Sequence, residues 1–257
     1  MPRAFTRSVS PRIAECALTH LERQPIDAER AARQHSAYEQ ALADAGFEIV
    51  RLPDLPHDPD AVFVEDTAIL LGEHAVITRP GAQSRAGEAN HAARDLAPYF
   101  TVHRLAAGTL DGGDVLRIGR ILYVGLSSRT NAAGAEALRS VAVPLGYEVV
   151  GVEPRQCLHL KTAVTFAGRD ASGTPRILVN PDWTDPAVFA DVEPVRTDEP
   201  AAANCLRAGD RLILPAGNPR TADELRRLGY DLVELDVSEL QKAEAGVTCM
   251  SLIDDRP

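Results

Sequence analysis

Cys249, His159 and two acidic clusters are the side chains of this sequence whose types could do chemistry. Cys249 stands in Val247-Thr248-Cys249-Met250-Ser251, and His159 lies between Leu158 and Leu160. Glu65-Asp66 directly precede the run Thr67-Ala68-Ile69-Leu70-Leu71, and Asp111-Gly112-Gly113-Asp114 precede Val115-Leu116. A thiol, an imidazole and a carboxylate are the parts of an activated thiol site. The histidine can hold the thiolate, protonate a leaving amine and then deprotonate a water. An Asp at position 114 can fix the tautomer and orientation of that histidine. Two adjacent acids entering a buried strand invite a cation, and a planar guanidinium suits them because its fork of donors matches carboxylates. Each piece alone has a plainer reading: a surface strand cap at Glu65-Asp66, a Gly-Gly turn at 111–114, a satisfied core residue at His159.

The case for a shared site comes from the elements that must position these residues. Apolar strands recur with a small or polar residue at the entrance, over 63–71, 110–118, 158–166, 203–208 and 247–253. Aligned on Asp66, Asp114, Lys161, Asn204 and Cys249, the units are 48, 47, 43 and 45 residues apart, a period in the range of propellers and arrays. A second strand follows a short turn in most units, at 75–78, 121–125, 176–179 and 211–215. The first, second and fourth units continue into helical patterns at 87–97, 132–143 and 221–228, and third strands follow at 147–150 and 231–235. The unit reads strand–strand–helix–strand. The amphipathic stretch 27–45 and the strand 47–52 supply the parts missing from the last unit, so a ring that joins both chain ends in one blade would close. An open α/β sheet with accidental similarity between units is the bland alternative. In the ring, the strand entrances converge on one end and bring Glu65, Asp66, Asp114, His159 and Cys249 near the axis.

Composition narrows the setting. With 27 Lys plus Arg against 37 Asp plus Glu, the formal charge is −10, which disfavours nucleic acid as a partner. No apolar run reaches the length of a membrane span, and Met1 to Ile13 lacks the apolar core of a signal peptide; a cytoplasmic location is expected. Cys16, Cys157, Cys205 and Cys249 are widely spaced without a C-x-x-C pair, which argues against a structural zinc site or a disulfide framework. Taken singly, each reads first as a small buried hydrophobe. The acidic, Pro-containing stretch 182–200 is expected as a loop with a short helix, too short to separate domains.

Glu65-Asp66-Thr67, Leu110-Asp111-Gly112-Gly113-Asp114-Val115-Leu116, Gly125-Leu126-Ser127-Ser128-Arg129-Thr130-Asn131 and Thr248-Cys249 together resemble the dimethylarginine dimethylaminohydrolases, or dimethylargininases. The likeness covers nearly the whole chain from Arg12 onward. It implies the five-bladed α/β propeller (pentein) of guanidino-modifying enzymes, as one domain over residues 1–257. It also implies hydrolysis of methylated arginine to citrulline and dimethylamine or methylamine. By position, it implies that Cys249 attacks the guanidinium carbon to give a covalent thiouronium, with His159 as general acid and base and Asp114 orienting it. Asp66 with Glu65 would hold the guanidinium nitrogens, Asp60 the amino-acid end, and Arg85 and Arg129 the α-carboxylate. Phe63 would line the site, Leu18 would belong to a lid that closes over substrate, and Ala243 would offer its backbone carbonyl. Met250 departs from the family, which often has a second Cys or a bulkier residue there, so methylation preference stays open. No cofactor and no catalytic metal are expected, although Cys249, His159 and Asp114 could bind a metal in an inhibited state. The expected partner is the small-molecule substrate, with neither nucleic acid nor membrane, and a homodimer is compatible with the sequence. The alternatives are an arginine deiminase-like hydrolase of another guanidino acid, whose relatives usually carry an inserted helical domain absent here, and a non-catalytic propeller that binds a partner.

Overall fold

The computed structural model describes residues 1–256 and contains five three-stranded sheets. The first sheet opens with β1 (Arg3–Thr6) and β2 (Glu48–Arg51), which run parallel and are joined through helix α1 (Ala28–Asp44). The second holds β3 (Ala68–Leu71), β4 (His74–Ile77) and β5 (Thr101–Arg104), with α2 (Glu88–Leu96) before β5. The third holds β6 (Val115–Ile118), β7 (Ile121–Gly125) and β8 (Glu148–Val152), with α3 (Ala132–Ala142) before β8. A short helix α4 (Leu160–Ala163) leads into the fourth, β9 (Val164–Arg169), β10 (Pro175–Val179) and β11 (Glu193–Arg196). The fifth holds β12 (Leu206–Ala208), β13 (Arg211–Pro215) and β14 (Asp231–Leu235), with α5 (Pro219–Arg227) before β14. After α6 (Ser238–Gln241) the chain returns as β15 (Leu252–Asp254), antiparallel to β1 with Arg3 opposite Asp254. In every sheet the first two strands of the unit are antiparallel and the next pair parallel. The strand–strand–helix–strand unit thus recurs in four sheets, with a 3₁₀ turn (Pro186–Val188) in place of the helix in the fourth sheet, and the two chain ends share one blade as the ring requires.

Local chemistry explains the elements. Asp27 caps α1 by accepting from the Arg30 amide, and Ala31, Tyr38, Ala41 and Leu42 form its buried stripe at helical spacing. The helix ends where Gly46 takes a left-handed φ of 92°, a conformation that glycine adopts without penalty. Asn131 caps α3 by accepting from the Gly134 amide. The first strands of the five units surround an axial cavity of about 670 Å³. Helices and outer strands pack in apolar clusters between blades, for example Ile69, Val76, Leu122 and Leu138. No helix among the described residues is long and apolar enough to cross a membrane.

Three expectations change. Residues 63–67, 110–114 and 158–163 are not the beginnings of strands. Val64–Thr67 and Gly112–Asp114 are 3₁₀ turns, and Leu160–Ala163 is the short helix α4. The turns close on their own backbone, the Asp114 amide donating to the Asp111 carbonyl and the Thr162 amide to the His159 carbonyl (both 3.0 Å), while the Asp66 and Asp114 side chains accept from amides of the next blade. Met1 to Ile13, read only for its lack of a signal peptide's apolar core, contains β1, which sits in the middle of its sheet. The stretch 182–200 has its short helical turn, Pro186–Val188, but also β11, an edge strand that tolerates Pro194.

Candidate active site

The five entrance residues of the repeat tie each blade to the next. The Gly113 amide donates to Asp66 Oδ1 (3.1 Å), and the Leu160 amide donates to Asp114 Oδ1 (2.8 Å). Asn204 donates to the Lys161 carbonyl (2.9 Å) and accepts from the Thr248 amide (3.1 Å). The Glu65 amide donates to the Cys249 carbonyl (3.2 Å) and closes the circle. These bonds satisfy polar groups that burial at the axis would otherwise penalise.

On this ring the structure brings Cys249 and His159 to one small cavity of about 20 Å³, room for roughly one water. Asp60, Phe63, Asp66, Arg129 and Ala243 also line it. The imidazole is buried, with Nε2 3.0 Å from Asp111 Oδ2 and Nδ1 3.9 Å from Asp66 Oδ1. A Cβ on Gly113 would come within 2.6 Å of the ring, so glycine is what lets the imidazole lie against this turn.

Asp111, rather than Asp114, is therefore the carboxylate against the imidazole. Asp114 accepts from the Ser127 and Thr130 hydroxyls (both 2.6 Å) and from the Leu160 amide, and no oxygen of it bonds the ring. It clamps the Gly125–Asn131 segment to α4 and positions His159 through the backbone. Asp111 is fully buried and accepts from the Gly81 amide (2.8 Å), which orients it. It was legible as an acid of the Asp111–Asp114 turn, but the repeat alignment singled out the other end of that turn.

Two further assignments shift. Glu65 does not face the small cavity. It bonds Lys161 Nζ (2.5 Å) and Thr248 Oγ1 (2.7 Å) and lines the axial cavity, which shares no lining residue with the small one. Arg85 does line the small cavity, but its guanidinium is engaged by Asp66 (2.5 Å), bidentately by Glu88 (3.1 and 2.8 Å) and by the Phe63 carbonyl (2.9 Å). Few of its donors are left for an α-carboxylate, and its evident task is to hold Asp66. Arg129, by contrast, bonds only Thr19 Oγ1 (2.9 Å) through its guanidinium and lies 3.8 Å from Asp111. Leu18 is half-buried against the first-blade core and stands outside the cavity wall, while Met250 is fully buried and cannot set pocket size.

The charges are consistent with acid–base work. Burial pulls the His159 pKa down, but Asp66, Asp111 and Asp114 outweigh it and raise the value to about 9, so the ring is an imidazolium at neutral pH. Burial, then Glu65 and Asp66, push the Cys249 thiol up to about 12. Burial raises Asp66 too, yet His159 and Arg85 overcome it and leave the carboxyl below its usual range. Cys249 is consequently a neutral thiol at pH 7, and its alkylation in the free protein should be slow there and climb steadily as pH rises toward about 12. A pH-independent fast rate in a peptide-mapped iodoacetamide assay would contradict these charges.

Asp66, Asp111 and His159 place one donor atom each within 4.8 Å of one another and could close on a metal ion. This is not the Cys249–His159–Asp114 set expected from the sequence, because Asp114 faces Ser127 and Thr130. Each of the three already has a protein partner, and none has an orphaned buried polar atom. No catalytic metal is needed to explain their arrangement.

A closed ring of five α/β units, with a thiol, an imidazole and carboxylates at one end of its axis, is the arrangement of the guanidino-modifying α/β propellers, or penteins. The family model for eukaryotic N,N dimethylarginine dimethylhydrolase matches residues 16–170. An N(G),N(G)-dimethylarginine dimethylaminohydrolase of Streptomyces coelicolor is 41% identical, covering 97% of this chain and 96% of that protein. The Pseudomonas aeruginosa protein of the same name is 38% identical over 88% and 89%. A crystal structure of the P. aeruginosa enzyme, a cysteine-to-serine mutant complexed with citrulline, superposes with a TM-score of 0.90 at 34% identity, covering 98% of this chain and 99% of that one. The chain belongs to the dimethylarginine dimethylaminohydrolase family. The N-terminal domain of a cyanobacterial arginine dihydrolase, at 21% identity and a TM-score of 0.83, shares the fold.

Proposed function

We propose that this protein hydrolyses Nω-methylated arginine to citrulline and dimethylamine or methylamine, through a covalent thiouronium on Cys249. The observation that carries the reading is that Cys249 and a charged His159 line one enclosed cavity with Asp66 beside them. A guanidinium is a poor electrophile because its charge is delocalised, and Asp66, held by Arg85, is placed to localise it. The arriving cation also offsets the Glu65 and Asp66 charges that keep the thiol protonated, so substrate itself promotes thiolate formation.

In the first half-reaction the Cys249 thiol gives its proton to water as the substrate cation arrives, and the sulfur bonds the guanidinium carbon. His159, with Nε2 held by Asp111, then gives its Nδ1 proton to the leaving nitrogen, and the C–N bond breaks to release the amine. An amide anion could not leave unaided, which is why an imidazolium with a raised pKa suits the task. His159, now neutral, takes a proton from water as its oxygen adds to the thiouronium carbon. Collapse breaks the C–S bond, and citrulline and the thiol are regenerated. Asp111 stabilises the imidazolium at both ends of this cycle through its 3.0 Å contact. Arg129 is the cation available to the α-carboxylate, and Asp60, which accepts from the Ala17 amide (3.2 and 3.1 Å), is the anion available to the α-ammonium.

The direct test is citrulline release from asymmetric dimethylarginine, monomethylarginine and arginine by the purified protein. Turnover of the methylated forms above arginine is expected, and absence of turnover on all three would overturn the reading. Since His159 must be charged to act as acid once substrate has promoted the thiolate, kcat should fall on the alkaline side as the raised His159 pKa is passed.

A further inference from the structure

The segment Cys16–Arg23 meets the small cavity at Ala17, one of its lining residues, and three residues of the site wall hold it there. The Ala17 amide donates to Asp60, and Thr19 Oγ1 accepts from Arg129. The amides of Thr19, His20 and Leu21 all donate to the Glu244 carboxylate, at 3.0, 2.5 and 2.6 Å. Arg23 folds back on the Ala14 and Cys16 carbonyls and keeps the segment in its own turn. With the segment so held, the cavity of about 20 Å³ admits no guanidino acid, so the segment must lift for substrate to enter.

The three holds differ in kind. On the proposed function, Asp60 and Arg129 exchange their segment contacts for the substrate's α-ammonium and α-carboxylate. Glu244 has no such exchange to make, because its carboxylate is gathered by three consecutive backbone amides, an anion nest of the chain's own making. Glu244 is also one of few non-glycine residues with a left-handed backbone, at φ 61°. Such conformations persist where the surroundings impose them and cluster at functional sites. Its neighbours on both sides, Ala243 and Ala245, line the cavity, and the Gly246 amide reaches Cys249 Sγ at 3.4 Å. The turn that presents the latch thus also presents the nucleophile.

We propose that Glu244 is a positioning residue for the hydrolysis. It latches the backbone of Thr19–Leu21 over the site, releases it for substrate to enter, and takes it up again once Asp60 and Arg129 have passed from the segment to the substrate. The inference rests on the proposed function for its substrate, but not for the latch itself. The test compares wild type with Glu244→Ala and Glu244→Gln by hydrogen exchange of residues 19–21, by iodoacetamide alkylation of Cys249 in the free protein, and by steady-state kinetics on dimethylarginine. In Glu244→Ala, exchange and alkylation should each rise about tenfold and KM should rise about tenfold with kcat within about threefold, as for loss of binding shared by ground and transition states. Glu244→Gln, which keeps one acceptor but no charge, should fall between and decides the matter if the alanine variant does not fold. Exchange and alkylation at wild-type rates in the folded variants would overturn the latch, as would a fall in kcat at unchanged KM. If wild type turns over no methylated arginine, exchange and alkylation still judge the latch separately from the proposed function.

Discussion

Cys249→Ser should lower citrulline release from dimethylarginine by about 10⁴-fold or more while leaving the fold intact, since the other groups of a site cannot replace its nucleophile. The expectation rests on place rather than on acidity. Cys157 and Cys205 are, like Cys249, pushed up to about 12 by burial, so none of these thiols stands out by its ionisation. Only Cys249 lines the cavity with His159. Its sulfur makes one long contact, with the Gly246 amide at 3.4 Å, and a hydroxyl of similar size can take that place. Melting within a few degrees of wild type is therefore expected. Retained turnover in Cys249→Ser, or equal loss in Cys157→Ser, would remove Cys249 from the mechanism.

The second large effect separates the two acids of the Asp111–Asp114 turn. Asp111→Asn should reduce kcat by about 10²–10⁴-fold, because it removes the charge in contact with His159 Nε2 at 3.0 Å. The Asp111 bond is one of the contributions that lift the His159 pKa, so the alkaline fall in kcat should also move to lower pH. Asp114→Asn should act mainly on stability. It turns an acceptor that receives two hydroxyls and the Leu160 amide into a group that offers two donors of its own. A cost of about 1–3 kcal/mol follows from leaving such buried donors unmatched, with a lowered melting temperature and a smaller loss of turnover per folded molecule. Equal losses of kcat in the two variants, at equal stability, would defeat the distinction.

Folded-state charge carries its own pH dependence. The His159 pKa is raised, to about 9, so its stabilising contribution is complete below the unfolded value near 6.5 and is lost as pH rises through about 9. The raised values at Asp60, Glu65 and Asp114 have burial as their first cause. The charges of Arg85, Lys161 and His159, in that order, oppose the rise at these three acids.

The ring was legible in the sequence because its unit is local. Alternating strands, a helix with one apolar face and a polar entrance recur about every 45 residues, and the same local energetics apply in each copy. The missing pieces of the fifth unit at the N-terminus made closure readable, even though β1 itself, four residues of Arg-Ala-Phe-Thr, carries too little pattern to be seen alone. Cys249, His159 and Asp66 were legible for the same reason, as polar groups at positions where the fold buries its axis.

What only the tertiary structure decided is the task of each entrance side chain. The aligned positions Asp66, Asp114, Lys161, Asn204 and Cys249 are first of all links between neighbouring blades. An alignment on them finds the ring's clasps and chooses Asp114 over Asp111. Which acid meets the imidazole depends on the direction a side chain leaves the chain, and Asp111 leaves from extended backbone (φ −98°, ψ 140°) ahead of the 3₁₀ turn that ends at Asp114. Glu65, adjacent to Asp66, was likewise sent to Lys161 and the far cavity. Sequence alone therefore determined the fold, the nucleophile and its histidine. Contact distance between blades decided the orienting carboxylate, the arginine free to meet a carboxylate, and the hold of Glu244 on residues 19–21, more than 200 positions away.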